Sequence, residues 1–234
     1  MNFKFFITYT FSFFLCSSCI SQISLSQKET KQEVSETLIN EKAITNQKDE
    51  FVSDTTFVNL KDYSADFVFN MKYATADNFL KTKVYDCEAC YLRYKTVKAL
   101  LKANEKFMKK GYKIMLFDCY RPLDVQKKMW EIVSNPNYVA DPKKGSIHNR
   151  GGAVDMSLVD ANGKELDMGT PFDFFGPEAS HDFENLSEEV KENRKTLRKI
   201  MTRSGFRIFD SEWWHYNLKN ARKENLSNFK WTCD

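Results

Sequence analysis

Two short stretches constrain this chain more than anything else in it: Ser146-Ile-His148-Asn-Arg-Gly151-Gly152-Ala-Val-Asp155 and Glu212-Trp-Trp-His215-Tyr216. They hold two of its three histidines, a carboxylate shortly after the first and another just before the second. A fold that uses them together must bring a glycine turn and a distant aromatic segment to one point. Three protein ligands and one open position suit a catalytic zinc, because a fourth protein ligand would close the reactive position. His148, Asp155 and His215 are the candidate ligands of one zinc ion. Glu212 is then left over as candidate general base for a water at the open position. Singly, each piece has a plainer reading: a turn histidine, a strand aspartate in a salt bridge, a tryptophan pair in the core. The combination carries the argument.

With 234 residues, the chain has room for one domain with a proper core plus appendages. Its hydrophobic content of 42% and aromatic content of 15% fit a folded globular protein. The formal charge is only +3, and no basic run stands out, so nucleic acid is not an expected partner.

Residues 1–19 read as an export signal: Lys4 gives a small positive region, Phe5 to Leu15 is uncharged, and Cys16-Ser-Ser-Cys19 follows. The run is too short for a membrane span. A cysteine at its end suggests a bacterial lipoprotein lipidated at Cys19, with plain secretion as the alternative. Periplasmic or membrane-anchored placement follows from either. Residues 20–53 are polar and almost without aromatics, unable to bury enough apolar area to offset ordering entropy. They read as a flexible tether, leaving residues 54–234 as the catalytic domain.

Four cysteines fall in that domain: Cys87, Cys90, Cys119 and Cys233. Export makes one or two disulfides reasonable, and three full pairings are open. A metal site at Cys87 and Cys90 lacks a second ligand pair at suitable spacing.

Helical spacing of Val97, Leu100, Leu101, Phe107 and Met108 predicts a helix over 94–110, closed by Gly111. A strand over 112–118 follows, then a helix over 124–133 with Asp124 as its cap, then a loop over 135–145. Ala153 to Leu158 alternates, setting Asp155 opposite the apolar face of Val154, Met156 and Leu158. A third helix is expected over 185–203, and a strand or hairpin over 206–218. In a regular strand Glu212 and His215 would point to opposite faces, so a bend just before the strand is expected to swing Glu212 over the metal. Helices with mostly antiparallel strands and no βαβ alternation argue for an α+β single domain, a mainly antiparallel sheet flanked by helices.

Ser146-x-His148-x-x-Gly151-x-Ala153-x-Asp155 with Glu212-Trp-Trp-His215 resembles the zinc D,D-peptidases. Lys72-Tyr73-Ala-Thr-Ala-Asp77-Asn78-Phe79, Asp118-Cys-Tyr120-Arg121-Pro122 and Met168-Gly-Thr-Pro-Phe-Asp173-Phe narrow the likeness to the VanX-like D-alanyl-D-alanine dipeptidases. The likeness runs from about Val58 to Leu218. It implies the zinc D,D-peptidase/Hedgehog-like fold and a small D,D-dipeptide as substrate. It also implies roles: His148, Asp155 and His215 on zinc, Glu212 as general base, and Arg121 steadying the oxyanion. Ser146 would hold the substrate carboxylate, while Tyr73 and Asp173 meet its ammonium group. His181 is not placed on the metal. Cys119 stands where those enzymes often have Gly, so a disulfide close to the site is expected. The export signal departs from the cytoplasmic resistance enzymes and points to dipeptides released from the wall or to another substrate altogether.

Two other functions compete. A murein D,D-carboxypeptidase or endopeptidase would need an open cleft in place of an amino-terminal pocket. A catalytically silent zinc-bearing wall-binding module would lack the base or the arginine, yet Glu212 and Arg121 are both present. Oligomeric state is left open by the sequence.

Overall fold

The computed structural model describes residues 52–233. The expectations for the signal at 1–19, for Cys19 and for nearly all of the tether therefore lie outside the described residues.

Strands β1 (Phe57–Asn59), β2 (Val68–Phe69) and β3 (Tyr91–Arg93) precede the first helix, α1 (Tyr94–Met108). Strand β4 (Lys113–Asp118), helix α2 (Leu123–Ile132) and strand β5 (Ala153–Val159) follow. Helix α3 (Glu188–Arg203) and the hairpin β6 (Phe206–Phe209) and β7 (Glu212–Leu218) complete the domain. β1 and β3 pair as an antiparallel ribbon, and the main sheet runs β2-β4-β5-β7-β6. Only β2–β4 is parallel in that sheet; the other pairs are antiparallel. The domain is α+β, as its sequence pattern predicts.

Helix α1 buries Val97, Leu100 and Phe107 completely. Each such side chain contributes about 1.5 to 3 kcal/mol relative to exposure. Gly111 at φ +81° turns the chain out of the helix, and the N–H groups of Lys110 and Tyr112 both donate to the Phe107 carbonyl (2.8 and 3.1 Å). Leu197 and Met201 of α3 are equally buried, and α1 and α3 pack on each other and on the sheet. Under α2 lies a second cluster, in which Met129 joins Tyr73, Leu80, Val84, Tyr85 and Val139.

Two helix boundaries and the burial of one strand differ from the sequence expectations. Pro122 occupies the cap position of α2, so Asp124 sits in its first turn, where its carboxylate accepts from Asn228 Nδ2 (2.7 Å). Helix α3 starts at Glu188 because the Ser187 hydroxyl accepts from Val190 N–H, with Glu188 and Glu189 favouring the positive end of the helix. All seven residues of β5 are buried, because the strand is central and covered on both faces. The cysteines form two disulfides, Cys87–Cys233 and Cys90–Cys119.

Candidate active site

His148 opens a short 3₁₀ turn, His148–Arg150, that Gly151 closes at φ +68°. A Cβ on Gly151 would press on the Phe57 ring and come within 3.1 Å of the Arg93 backbone nitrogen, so both conformation and space require glycine. The turn is held from outside by Arg93 N–H and Thr96 Oγ1, which both donate to the Gly151 carbonyl (3.0 and 2.9 Å). Two residues later the chain enters β5, where Asp155 pairs directly with His215 of β7. Residues opposite each other across a ladder share a face, which brings carboxylate and imidazole together.

His148 Nδ1 lies 2.7 Å from the Cys119 carbonyl, and His215 Nε2 lies 3.0 Å from Asn217 Oδ1. Each carbonyl takes the N–H of its ring, which leaves the other nitrogen with a free lone pair. Those inner nitrogens, His148 Nε2 and His215 Nδ1, are 3.2 Å apart. Asp155 reaches them with Oδ2 at 3.4 Å and Oδ1 at 2.9 Å. All three donors lie within 4.8 Å of one another. Two lone pairs and a carboxylate this close repel unless a cation sits among them. Without a metal a proton can fill that role: burial would lower the His215 pKa, but its hydrogen bond to Asp155 and that carboxylate's charge raise it to about 9. Burial opposes ionisation of Asp155, yet the charges and hydrogen bonds of the two histidines hold its carboxyl well below the usual range. The donor set of two imidazoles and one carboxylate fits a divalent metal such as zinc.

Glu212 reaches this centre by a route the sequence did not specify. Ile208 pairs with Tyr216, but the next pair is Phe209 with Glu212, so Trp213, Trp214 and His215 bulge between the two strands. The irregularity lies inside the hairpin ladder, not before the strand. It puts Glu212 Oε2 3.8 Å from His215 Nδ1. Trp213 and Trp214 anchor the bulge by burial, and Trp213 Nε1 donates to Thr170 Oγ1 (2.8 Å). Burial raises the Glu212 carboxyl above its ordinary range, against the opposing pull of His215.

Arg121 is fixed by Asp118 Oδ2, which accepts from its Nε and Nη2 (3.2 and 2.7 Å), and by Gln126 Oε1 (3.0 Å). Burial works against its charge, but Asp118 outweighs that and keeps the guanidinium ionised. Three of its five N–H donors are used this way, leaving two for a ligand. Its guanidinium also lies over the Tyr73 ring (5.2 Å). Tyr73 OH donates to Asp173 Oδ2 (2.9 Å), and Asp173 sits in the left-handed region at φ +58°. Burial first, then the charge of Asp155, pushes the Asp173 carboxyl well up. Ser146 Oγ donates to Asn149 Oδ1 (3.2 Å).

One cavity of about 540 Å³ is lined by all eight residues singled out from the sequence: Tyr73, Arg121, Ser146, His148, Asp155, Asp173, Glu212 and His215. Sequence reasoning gave no role to Asp118, Gln126, Asn149 or Asn217, which hold Arg121, Ser146 and His215 among those eight. Two of them stand one or two residues from a histidine of the site, and Asp118 stands three before Arg121. His181 lies elsewhere, beside Tyr216 (6.2 Å between ring centres).

The sequence profile described as D-ala-D-ala dipeptidase, peptidase family M15, matches residues 53–231. The chain belongs to this family. It is a metallopeptidase by that membership. It is 36% identical over 184 residues to the D-alanyl-D-alanine dipeptidase of Escherichia coli K12, covering 78% of this chain and 95% of that one. The D-alanyl-D-alanine dipeptidase of Enterococcus faecium is 32% identical over 181 residues, covering 67% and 88%. Among solved structures, an LdcB LD-carboxypeptidase matches with a TM-score of 0.38 and 22% identity over 57% of this chain and 62% of that one.

Proposed function

We propose that this M15 peptidase hydrolyses D-alanyl-D-alanine, or a similarly short D-containing dipeptide, to free amino acids. The observation that carries the reading is the partly buried Asp173–Tyr73 pair in the wall of the cavity that holds the His148–Asp155–His215 group. A desolvated carboxylate is costly when charged and alone, and a free α-ammonium group compensates it. A peptide with a blocked or extended amino end offers no such cation.

His148, Asp155 and His215 would hold one zinc ion. When bound, zinc supplies Lewis acidity at the scissile carbonyl and acidifies a water toward ~7. Glu212, beside the donor group, takes the proton from the attacking water and returns it to the leaving amine. Arg121 offers its two remaining N–H donors to the oxyanion, from a guanidinium that Asp118 and Gln126 keep from reorienting. Ser146, held by Asn149, contributes its hydroxyl to the substrate carboxylate.

Residues 1–19 we read as an export signal, with Cys19 as lipidation site, placing the enzyme in the periplasm or on a membrane by a lipid anchor. The support is the residue pattern at the amino end. In that compartment the natural substrates would be dipeptides released from the wall.

The deciding experiment is release of D-alanine from D-Ala-D-Ala beside N-acetyl-D-Ala-D-Ala, with a chelator-treated control. Cleavage of the free dipeptide alone, lost on chelation, is expected. Cleavage of the blocked peptide at a comparable rate would move the protein to the murein carboxypeptidases. No cleavage of either would leave the silent-module reading.

A further inference from the structure

On the far side of the β6–β7 hairpin, away from the metal-type donors, α3 and the loop before it enclose a second, smaller cavity of about 90 Å³. Its charged lining is entirely cationic: Lys191, Arg194, Lys195 and Arg198, with His181 completing the wall. Such concentration of one sign in a concave place attracts anions more strongly than the same charges spread over a surface.

The ordinary explanations for these groups fall short. Arg194 is 6% exposed, yet its three hydrogen bonds go to the neutral carbonyls of Met168, Ser180 and Glu178 (2.7, 3.0 and 2.9 Å). Among the described residues no carboxylate pairs with Arg194 or Arg198 within 4.0 Å; the buried Arg194 has instead the more distant charge of Asp167 and the Trp213 ring beneath it (6.0 Å), and Arg198 is exposed. Lys191 and Lys195 pair with Glu188 and Glu192 (2.8 and 2.9 Å), but both pairs are exposed and so worth little. His181 Nε2 is buried without a hydrogen-bond partner. Burial, then the charges of Arg198 and Arg194, hold the imidazole down to about 4, against the pull of Asp182 and Asp210. A buried imidazole nitrogen without a partner, beside two guanidinium groups that no carboxylate pairs within 4.0 Å, is an environment an oxyanion would satisfy if that nitrogen carries the ring's proton.

We propose that this cavity is a binding site for a phosphate-class oxyanion, with Arg198, Lys195 and Lys191 neutralising its charge, Arg194 forming the floor, and the neutral imidazole of His181 donating its Nε2 proton to one oxygen. A tetrahedral dianion offers acceptors in several directions, which four cations and an imidazole can use; a planar monoanion such as acetate cannot. The groups facing His181 are Arg194 and Arg198 on α3, Asp182 beside it, Asp210 in the hairpin turn and Tyr216 on β7.

The test uses the full chain, chelator-treated so that phosphate cannot report on a metal. Inorganic phosphate is titrated while the His181 ring signals are followed by NMR across pH. Saturable binding is expected, with the His181 midpoint rising by about one unit when phosphate is bound, since a nearby dianion favours the imidazolium. The exposed pair Arg198→Gln/Lys195→Gln should weaken phosphate binding at least ten-fold. Its retained dipeptidase activity, measured on the metal-loaded protein, reports that it folds. Phosphate binding that the double substitution leaves unchanged, or acetate binding as tight as phosphate, overturns the proposal. Co-sedimentation with phosphatidic acid vesicles, lost in the double variant, would assign the phosphate to a lipid headgroup. Binding of inorganic phosphate without vesicle binding would assign it to a soluble phosphate.

Discussion

Asp173 is charged at a double disadvantage, buried and within the field of Asp155, and only the Tyr73 hydroxyl and the Arg121 charge offset this. On the proposed reading a substrate ammonium would remove that disadvantage, and the side chain would discriminate by what it lacks when alone. Asp173→Asn keeps the shape and the contact with Tyr73 but loses the charge. It should cost the free dipeptide about ten- to hundred-fold in kcat/KM, the worth of a hydrogen bond to a charged group. Activity on N-acetyl-D-Ala-D-Ala should change little, so the ratio of the two rates is the quantity to measure. Glu212→Gln removes the proton acceptor while keeping volume. A fall of about 10² to 10⁴ in kcat is expected, with metal content held. Metal analysis together with D-alanine release checks it, and retained activity at full metal content sinks the assignment. At the second cavity the sign of the pH effect is fixed by His181. Its folded-state value near 4 lies below the ordinary 6.5, so the unfolded chain takes the proton first as pH falls. The associated stability is full above about 6.5 and is lost progressively toward 4. Between pH 7 and 5 the protein should lose about 1 to 2 kcal/mol more than its His181→Gln variant. Urea unfolding in phosphate-free buffer measures the difference, and equal losses would show that the imidazole is not held neutral.

Two loops meet over the cavity mouth. Tyr138, from the segment between α2 and β5, lies 4.3 Å from Phe175, and Phe175 meets Phe79 at 5.0 Å. Tyr138 and Phe175 both line the cavity and are both partly exposed, so on the proposed reading their contact would obstruct an amino-terminal extension of the substrate. Tyr138→Ala should raise the rate on N-acetyl-D-Ala-D-Ala several-fold relative to the free dipeptide; an unchanged ratio would assign the exclusion to Asp173 alone. At this same scale the sequence was legible in part. Apolar periodicity gave two of the three helices and the strand that carries Asp155, because burial of one face leaves a repeating mark; the break at Pro122 marked the remaining helix and the β-favouring run at Trp213 the strand of His215. The Glu212 position was not legible. Its side depends on a bulge of three residues, set by where Trp213 and Trp214 pack, and packing partners are not written in local spacing. The α2 cap was misread for a related reason: Pro122 could take that position once Asp124 found Asn228 in the distant tail.

For the molecule as a whole, eight residues scattered from Tyr73 to His215 could be nominated from the sequence, but the frame that orients them could not. The cysteines show why: three pairings were open, and only the placement of β3 and the tail decided among them. The two disulfides found have different consequences. Cys87–Cys233 ties down a tail whose Phe229 stacks on Phe57 (5.2 Å) and whose Trp231 stacks on Tyr91 (5.2 Å). Its separation of 146 residues makes its constraint on the unfolded chain large, at most about 5 kcal/mol by the chain-entropy account. Cys90–Cys119 closes a shorter separation of 29 residues, worth about 3 to 4 kcal/mol on the same account. Yet both its cysteines are fully buried, and the Cys119 carbonyl holds His148 Nδ1. Loss of the first bridge should therefore lower thermal stability and leave the site intact; loss of the second should loosen the histidine as well. Cys87→Ser/Cys233→Ser is expected to lower Tm while zinc affinity stays within about two-fold, measured by competition with a chelator below the transition. Cys90→Ala/Cys119→Ala is expected to lower Tm and to weaken zinc by about ten-fold or more, the usual cost of disturbing a group that orients a metal ligand. If both pairs of substitutions lower Tm and neither touches zinc affinity, the backbone around Cys119 is fixed by the sheet alone, and the bridge beside the site is a matter of stability only.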